Sequence, residues 1–171
     1  MTDIRSELTA IARRKVSKPT ERALAINLIK GRVLDYGCGR LVDARYLAEY
    51  GYAVSCYDKY YQPEMPEGKF DTILCIYVLN VVNQLEQAAI VNDMMTRLNK
   101  NGRIIVAVRR PVEIEHEAQK RHWQPYDGGY ITGRNTYQIG VSKQRLDYLF
   151  SEYAGVLSEF GPGMYWYDRW W

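Results

Sequence analysis

The residues best placed to do chemistry lie in the run VLDYGCGR, positions 33–40, and in Asp58, which follows Gly39 by 19 residues. Two glycines at a strand-to-helix turn let the backbone approach a ligand closely, and a carboxylate at the tip of the next strand can accept two hydrogen bonds from ribose hydroxyls. That spacing suits a nucleoside. A dinucleotide such as NAD also wants a small residue three positions after Gly39, beside its pyrophosphate, and the chain has Val42 there. Asp35, two residues before Gly37, would repel a pyrophosphate but suits a cationic amino group. A GxG turn alone is common in α/β proteins; the order Asp35, Gly37-Cys38-Gly39, Asp58 is what points to a ligand.

The elements that must position these residues follow from periodicity. Ile4, Leu8, Ile11 and Ala12 stand at helical spacing over 3–15, and Ser17 with Pro19 begins a second helix that runs to Gly31. A buried strand covers 33–36, and a helix through Ala44, Leu47 and Ala48 ends at Gly51. Strands follow over 52–57 and 70–76, then a helix from Leu85 to Leu98, the turn Asn101-Gly102 and a strand over 103–108. Residues 111–140 show no clear period and read as a long loop or lid holding His116, His122, Trp123, Gly128, Gly129 and Arg134. A helix over 142–153 and a hairpin of 155–160 and 164–171 close the chain. Strands that are apolar throughout and alternate with helices predict a mostly parallel sheet covered on both faces.

The chain has 171 residues, 47% of them hydrophobic and 25% charged, which fits one globular domain with an N-terminal helical part (1–31), a core (32–110), the 111–140 loop and a C-terminal part (141–171). A formal charge of +3 is too small to mark a dedicated nucleic-acid binder. Cys38, Cys56 and Cys75 are odd in number and lack CxxC spacing, so they read as reduced thiols of a cytoplasmic protein. No metal-ligand spacing is present, the start MTDIRSEL lacks the apolar run of a signal peptide, and the run 73–79 is far short of the roughly 20 residues of a membrane span.

Asp35-Tyr36-Gly37-Cys38-Gly39 resembles the first motif of class I S-adenosylmethionine-dependent methyltransferases, and Asp58 falls on that family's ribose-binding acid. The likeness covers most of the chain: 70–80 resembles the fourth strand and the segment after it, 98–104 the approach to the fifth strand, and Gly161-Pro162-Gly163 the closing hairpin. It implies a Rossmann-like α/β fold and S-adenosylmethionine as cofactor, held by Asp35, Tyr36, Gly37, Cys38, Gly39, Asp58, Lys59, Tyr60, Cys75 and Ile76. A narrower resemblance, carried by Ser17-Lys18-Pro19, 35–40, Asp43, Asp58, Tyr61, Pro63 and Thr136-Tyr137-Gln138, is to methyltransferases associated with DNA phosphorothioation and their small phage and bacterial relatives. Two departures stand out. Leu41 occupies a position where the family often has a third glycine, and only 11 residues separate Asp58 from Phe70, so the adenine-binding segment is reduced and adenine needs other walls, such as Tyr60 or Tyr61 and Ile76.

Methyl transfer from a sulfonium is an in-line displacement that asks mainly for alignment. Tyr77 and Asn80, just after the third strand, are the candidates to orient an acceptor, although a packing role accounts for Asn80 equally well. The motif of base-amino methyltransferases is absent from 75–80, and no Pro-Cys pair offers a cytosine nucleophile. Arg109, Arg110, Arg134 and Tyr137 are the substrate-binding candidates, because guanidinium forks suit a phosphate or carboxylate. A nucleic acid or nucleotide-like acceptor leads; a small-molecule acceptor, or a non-catalytic cofactor-binding subunit of a DNA-modification system, is the alternative. The aromatic tail 165–171 reads as sheet packing or a dimer contact, which leaves the chain a monomer or a homodimer.

Overall fold

A computed structural model describes residues 3–170. Strands β1 (Val33–Tyr36), β3 (Phe70–Ile76) and β4 (Leu98–Ala107) form the middle of a six-stranded sheet, flanked by β2 (Val54–Tyr57) on one side and by β9 (Met164–Arg169) and β8 (Gly155–Gly161) on the other. The order is β2-β1-β3-β4-β9-β8; β2, β1, β3 and β4 run parallel, and β9 and β8 pair antiparallel. Parallel neighbours cannot be joined by a tight hairpin, so helices α2 (Val42–Glu49) and α3 (Gln84–Arg97) carry two of the crossovers. Helix α1 (Lys18–Ala25) and α2 cover one face through Ala23, Leu47, Leu74 and Ile105; α3 and α5 (Lys143–Phe150) cover the other through Val91, Met94, Leu146, Ile73 and Ile104. This is the mostly parallel, Rossmann-like architecture with a closing antiparallel pair that the sequence predicts. The expected end of the hairpin at Trp171 lies outside the described residues.

Three expectations need correction. The helix over 3–15 is only a 3-10 turn, Ser6–Thr9, with no side-chain cap; Arg5 N–H instead donates to the Asn135 carbonyl (2.8 Å), and the segment crosses the molecule as a strap. The next helix stops at Ala25 rather than at Gly31. Asn27 takes a left-handed φ of 58°, and Leu28 N–H returns to Ala23 O (2.8 Å) while Asn27 N–H returns to Leu24 O (3.1 Å), the Schellman closure. That turn sends Leu28 and Ile29 into the core.

The third correction concerns 111–140, which is not a loop. Pro111–Arg121 forms α4, begun by Pro111 and by the Glu113 carboxylate accepting from Arg110 N–H (2.7 Å), and held by buried Ile114 and Ala118. After it, β5 (Gln124–Tyr126) and β6 (Gly129–Ile131) make a hairpin whose two turn residues, Asp127 and Gly128, both have positive φ, 46° and 74°, and β7 (Tyr137–Gln138) completes a separate small sheet. Smaller shifts occur at β4, which begins at Leu98 because a register shift lets Leu98 pair with Phe70 and Arg103 with Thr72.

One buried carboxylate joins the N-terminal part to the sheet. Asp43, 5% exposed in the first turn of α2, accepts from Ser17 N–H (2.8 Å), Ser17 Oγ (2.6 Å) and Thr20 Oγ1 (2.9 Å). Ser17 also caps α1 through Thr20 N–H (3.3 Å). Removing the carboxylate orphans three buried donors, so Asp43→Ala should lower the unfolding free energy by about 3 kcal/mol in urea titration. A loss below about 1 kcal/mol would show that the cluster contributes little to holding the strap and α1 in place.

Candidate functional site

The sheet order reverses at β1, with β2 on one side and β3 on the other, so a crevice opens beyond the carboxyl ends of β1 and β3. A cavity of about 340 Å³ lies there. It is lined by Asp35, Tyr36, Gly37, Cys38, Gly39, Asp58, Lys59, Tyr60, Ile76 and Tyr77, so the structure brings together most of the residues named from sequence.

The glycine turn is built for close approach rather than for donation. Gly37 N–H (2.7 Å) and Cys38 N–H (3.0 Å) both go to Tyr57 O, and Gly39 N–H goes to Asp58 Oδ2 (2.9 Å). Gly37 and Gly39 have φ of 82° and 49°; a Cβ on Gly37 would overlap Val78. Leu41 takes φ 66° as the N-cap residue of α2, so its backbone adopts a conformation usual for glycine, and its side chain is not among those lining the cavity. The departure at Leu41 therefore does not crowd the cavity.

Asp58 organises the turn after β2. Its Oδ1 accepts from Tyr60 N–H (2.9 Å) and Tyr61 N–H (3.1 Å), and its backbone pairs with Gln62 in both directions (2.9 Å each). Each carboxylate oxygen has further lone-pair capacity, so the acid can still accept from a diol.

Asp35 is the electrostatic anomaly. It is 3% exposed, its Oδ2 has no hydrogen-bond partner, and it faces the cavity. Burial pushes its pKa well above the usual carboxylate range; Asp43, Cys56 and Asp58 push the same way, and Arg13 pulls weakly against them. A buried acceptor without a donor is costly, and a cation placed in the cavity would supply the missing donor.

Other assigned residues sit elsewhere. Asn80 is 1% exposed and fully used on backbone: its Nδ2 donates to Arg109 O (2.8 Å) and Ile139 O (2.7 Å), and its Oδ1 accepts from Arg109 N–H (2.8 Å). It staples the end of β3 to the end of β4 and has no group left for an acceptor. Cys75 is buried in the core, where burial pushes its thiol up to about 12, and it does not line the cavity. Arg110 pairs with Glu113, Arg134 is exposed, the Tyr137 hydroxyl donates to Asp127 O (2.7 Å), and neither these residues nor Arg109 line the cavity.

Sequence reasoning missed two groups of lining residues. Ser6, Thr9, Ala10, Ile11 and Arg13 of the strap roof the cavity, and Tyr61 Oη holds that strap by donating to Glu7 O (3.0 Å). Val78, Val81, Val82, Ala89 and Ile90 form an apolar wall before and within α3. Helical spacing in 3–15 concealed the strap; a cap residue ahead of Ser6 would have been needed to make a helix there, and Arg5 does not act as one.

Tyr77 occupies a left-handed φ of 60° immediately after β3, with its N–H on Ala107 O (2.8 Å). A bulky side chain in that region is strained, and such residues gather at functional sites. Burial raises its phenol pKa, so at neutral pH it is a neutral hydroxyl that can donate or accept.

The sign of the Asp35 shift gives a test. A carboxyl whose folded pKa is raised favours folding only while protonated; that contribution is lost as pH climbs from the unfolded value of about 4 through the raised folded value. Asp35→Asn should therefore melt at a higher temperature than the parent protein at neutral pH, with a gap that widens as pH rises over that window. A lower melting temperature at neutral pH would mean that Asp35 is paired in solution.

Comparison with known proteins agrees with this geometry. A family model described as a methyltransferase domain matches residues 8–139. The fold is similar to magnesium protoporphyrin IX methyltransferase from Synechocystis PCC 6803 solved with S-adenosylhomocysteine (TM-score 0.65, 16% identity, 88% of this chain and 80% of that one). It is also similar to the 1,6-didemethyltoxoflavin-N1-methyltransferase of Burkholderia thailandensis (TM-score 0.64, 16% identity, 98% and 80%) and to a S-adenosylmethionine-dependent methyltransferase of Bacteroides fragilis (TM-score 0.61, 18% identity, 91% and 78%). No curated protein sequence matches the chain. With that match spanning more than half its length and the cavity set at the switch point of the sheet, the chain belongs to the methyltransferase domain family.

Proposed function

We propose that this protein is an S-adenosylmethionine-dependent methyltransferase acting on a small molecule that enters beside Tyr77. The observation that carries the cofactor is the unpartnered Asp35 oxygen on the cavity wall, within the same lining as the two bare glycines and Asp58. Bound there, the cofactor supplies a methyl group activated on a sulfonium. Asp35 accepts from its amino group, Arg13 faces its carboxylate, and Gly37 and Gly39 leave room for its chain. Asp58 accepts from the ribose, and Tyr60, Tyr61 and Ile76 wall the adenine.

The remaining residues align and enclose. Tyr77 holds a neutral hydroxyl at the cavity, placed to orient an acceptor, and the strap with the valine wall excludes water. A small acceptor is favoured because Arg110, Arg134 and Tyr137 lie outside the cavity and the strap roofs it. Two of the structural neighbours are named for small-molecule acceptors. The second reading, DNA modification, draws on the contact between Ser17 and Asp43, two residues of the narrower resemblance, and on the basic run Arg13-Arg14-Lys15 at the edge of the strap.

Calorimetry with S-adenosylhomocysteine tests the cofactor. Binding should release a proton, because the ligand ammonium favours ionised Asp35, so affinity rises with pH and the apparent enthalpy varies with the buffer. Asp58→Ala should weaken binding by about 1.5–3 kcal/mol, and Asp35→Asn by at least about tenfold. Binding independent of pH and unaffected by Asp35→Asn would remove the amino-group assignment. Methyl transfer from labelled cofactor should mark small-molecule extract fractions and leave DNA unlabelled; labelled DNA would instead establish the second reading. Tyr77→Phe should lower kcat on the accepted fraction without changing S-adenosylhomocysteine affinity, and an unchanged kcat would free Tyr77 of its role.

A further inference from the structure

The glycine turn carries a thiol that the methyl-transfer reading does not use. Cys38 lies between Gly37 and Gly39, lines the cavity and is seated on β2 by its N–H to Tyr57 O (3.0 Å). Cys56 is the residue before Tyr57 and the register partner of Asp35, so strand alternation places its side chain on the face of the sheet that Asp35 occupies. The bond from Cys38 N–H to Tyr57 O thus sets the Cys38 backbone beside Cys56, and each thiol shifts the ionisation of the other.

Access comes from the reduced middle of the chain. Among the described residues no strand pairs with the outer side of β2, so Cys56 sits on an edge and is half-buried rather than enclosed. Cys38 is buried in the turn but borders the cavity. By contrast Cys75 is sealed in the core between β3 and α3.

We propose that Cys38 and Cys56 are a redox modification site, a thiol pair that peroxide converts to a disulfide, locking the Gly37–Gly39 turn onto β2 and weakening cofactor binding. Cys56, half-buried on the edge strand, is the attacking group, and Cys38 beside it holds its thiol below the ordinary value. Its sulfur attacks one peroxide oxygen, the O–O bond breaks, and the leaving hydroxide takes a proton to become water, leaving a sulfenic acid. The Cys38 sulfur then attacks that sulfur, the S–O bond breaks and a second water leaves. Peroxide gains two electrons and the two thiols lose them, so the balance closes without another reagent. A dithiol reductant reverses the step.

The effect on binding rests on the proposed cofactor site; the disulfide itself does not, and the test reads them separately. The full-length protein is treated with hydrogen peroxide, and its peptides are mapped by mass under non-reducing conditions. The expected product is a Cys38–Cys56 cross-linked peptide, with the chain lighter by two hydrogens and Cys75 still a free thiol in denaturant. Over-oxidised single cysteines, or no reaction at either thiol, would overturn the pair. Calorimetry should then show S-adenosylhomocysteine binding about tenfold weaker or worse in the oxidised protein and restored by dithiothreitol. Equal affinity in both states would overturn the switch while leaving the disulfide. Failure of the reduced protein to bind the ligand would count against the cofactor reading, with the peptide map still deciding the thiol chemistry. Cys56→Ser should lose both the cross-link and the reversible change in affinity; should that variant fail to fold, the wild-type map suffices.

Discussion

A carboxylate taken out of water must be met by donors, and Asp43 meets that demand with donors from another part of the chain. Ser17 supplies two hydrogen bonds and Thr20 a third, so the first turn of α1 is fixed to the first turn of α2. The strap enters this joint directly from residues 3–16 and lies across the crevice from there. Without the joint, α1 would lose its cap partner and the roof over the cavity would have no anchor at its C-terminal end. Cavity, strap and helix packing on that face of the sheet all depend on three short contacts to one side chain.

Asp35 stands in the same electrostatic field with the opposite arrangement. Both acids are buried on the α1 and α2 side of the sheet, and Asp43 adds to the cost of ionising Asp35 that burial sets. Evolution of a merely stable domain would place an asparagine or an apolar residue at Asp35, because the orphan oxygen destabilises the empty protein. The raised pKa of Asp35 follows from burial and the neighbouring acids, with no donor from the chain to offset them. Donors supplied by the chain make Asp43 a joint, and their absence leaves Asp35 with an unpartnered oxygen at the cavity.

Much of this was legible in the residues. The central strands, the glycine turn and Asp58 were readable because apolar runs and turn glycines leave strong local signals. The helix end at Asn27 and the whole of 111–140 were also written locally, in an asparagine that takes the left-handed closing position, in Pro111 with Glu113 three residues after Arg110, and in the Asp127-Gly128 hairpin pair. Absence of one long period hid these shorter signals. The strap and Asn80 were not legible in that way. Helical spacing at Ile4, Leu8 and Ile11 is produced by a segment that packs on a cavity and a small sheet, and Asn80 is used by carbonyls at Arg109 and Ile139, far away in sequence.

The short connection from β2 to β3 imposes a further constraint. An acid at the end of an edge strand has no outer strand to hold its turn, yet Asp58 is held in a fixed direction at the cavity. The chain solves this inside a few residues. Asp58 caps its own turn through Tyr60 and Tyr61 N–H, closes a two-way backbone bridge to Gln62, and reaches back to Gly39 N–H. Tyr61 then extends the turn to the strap through Glu7 O. The same short turn brings Tyr60 and Tyr61 to the cavity lining. It leaves β2 at the edge as well, which is what exposes Cys56 beside the glycine turn.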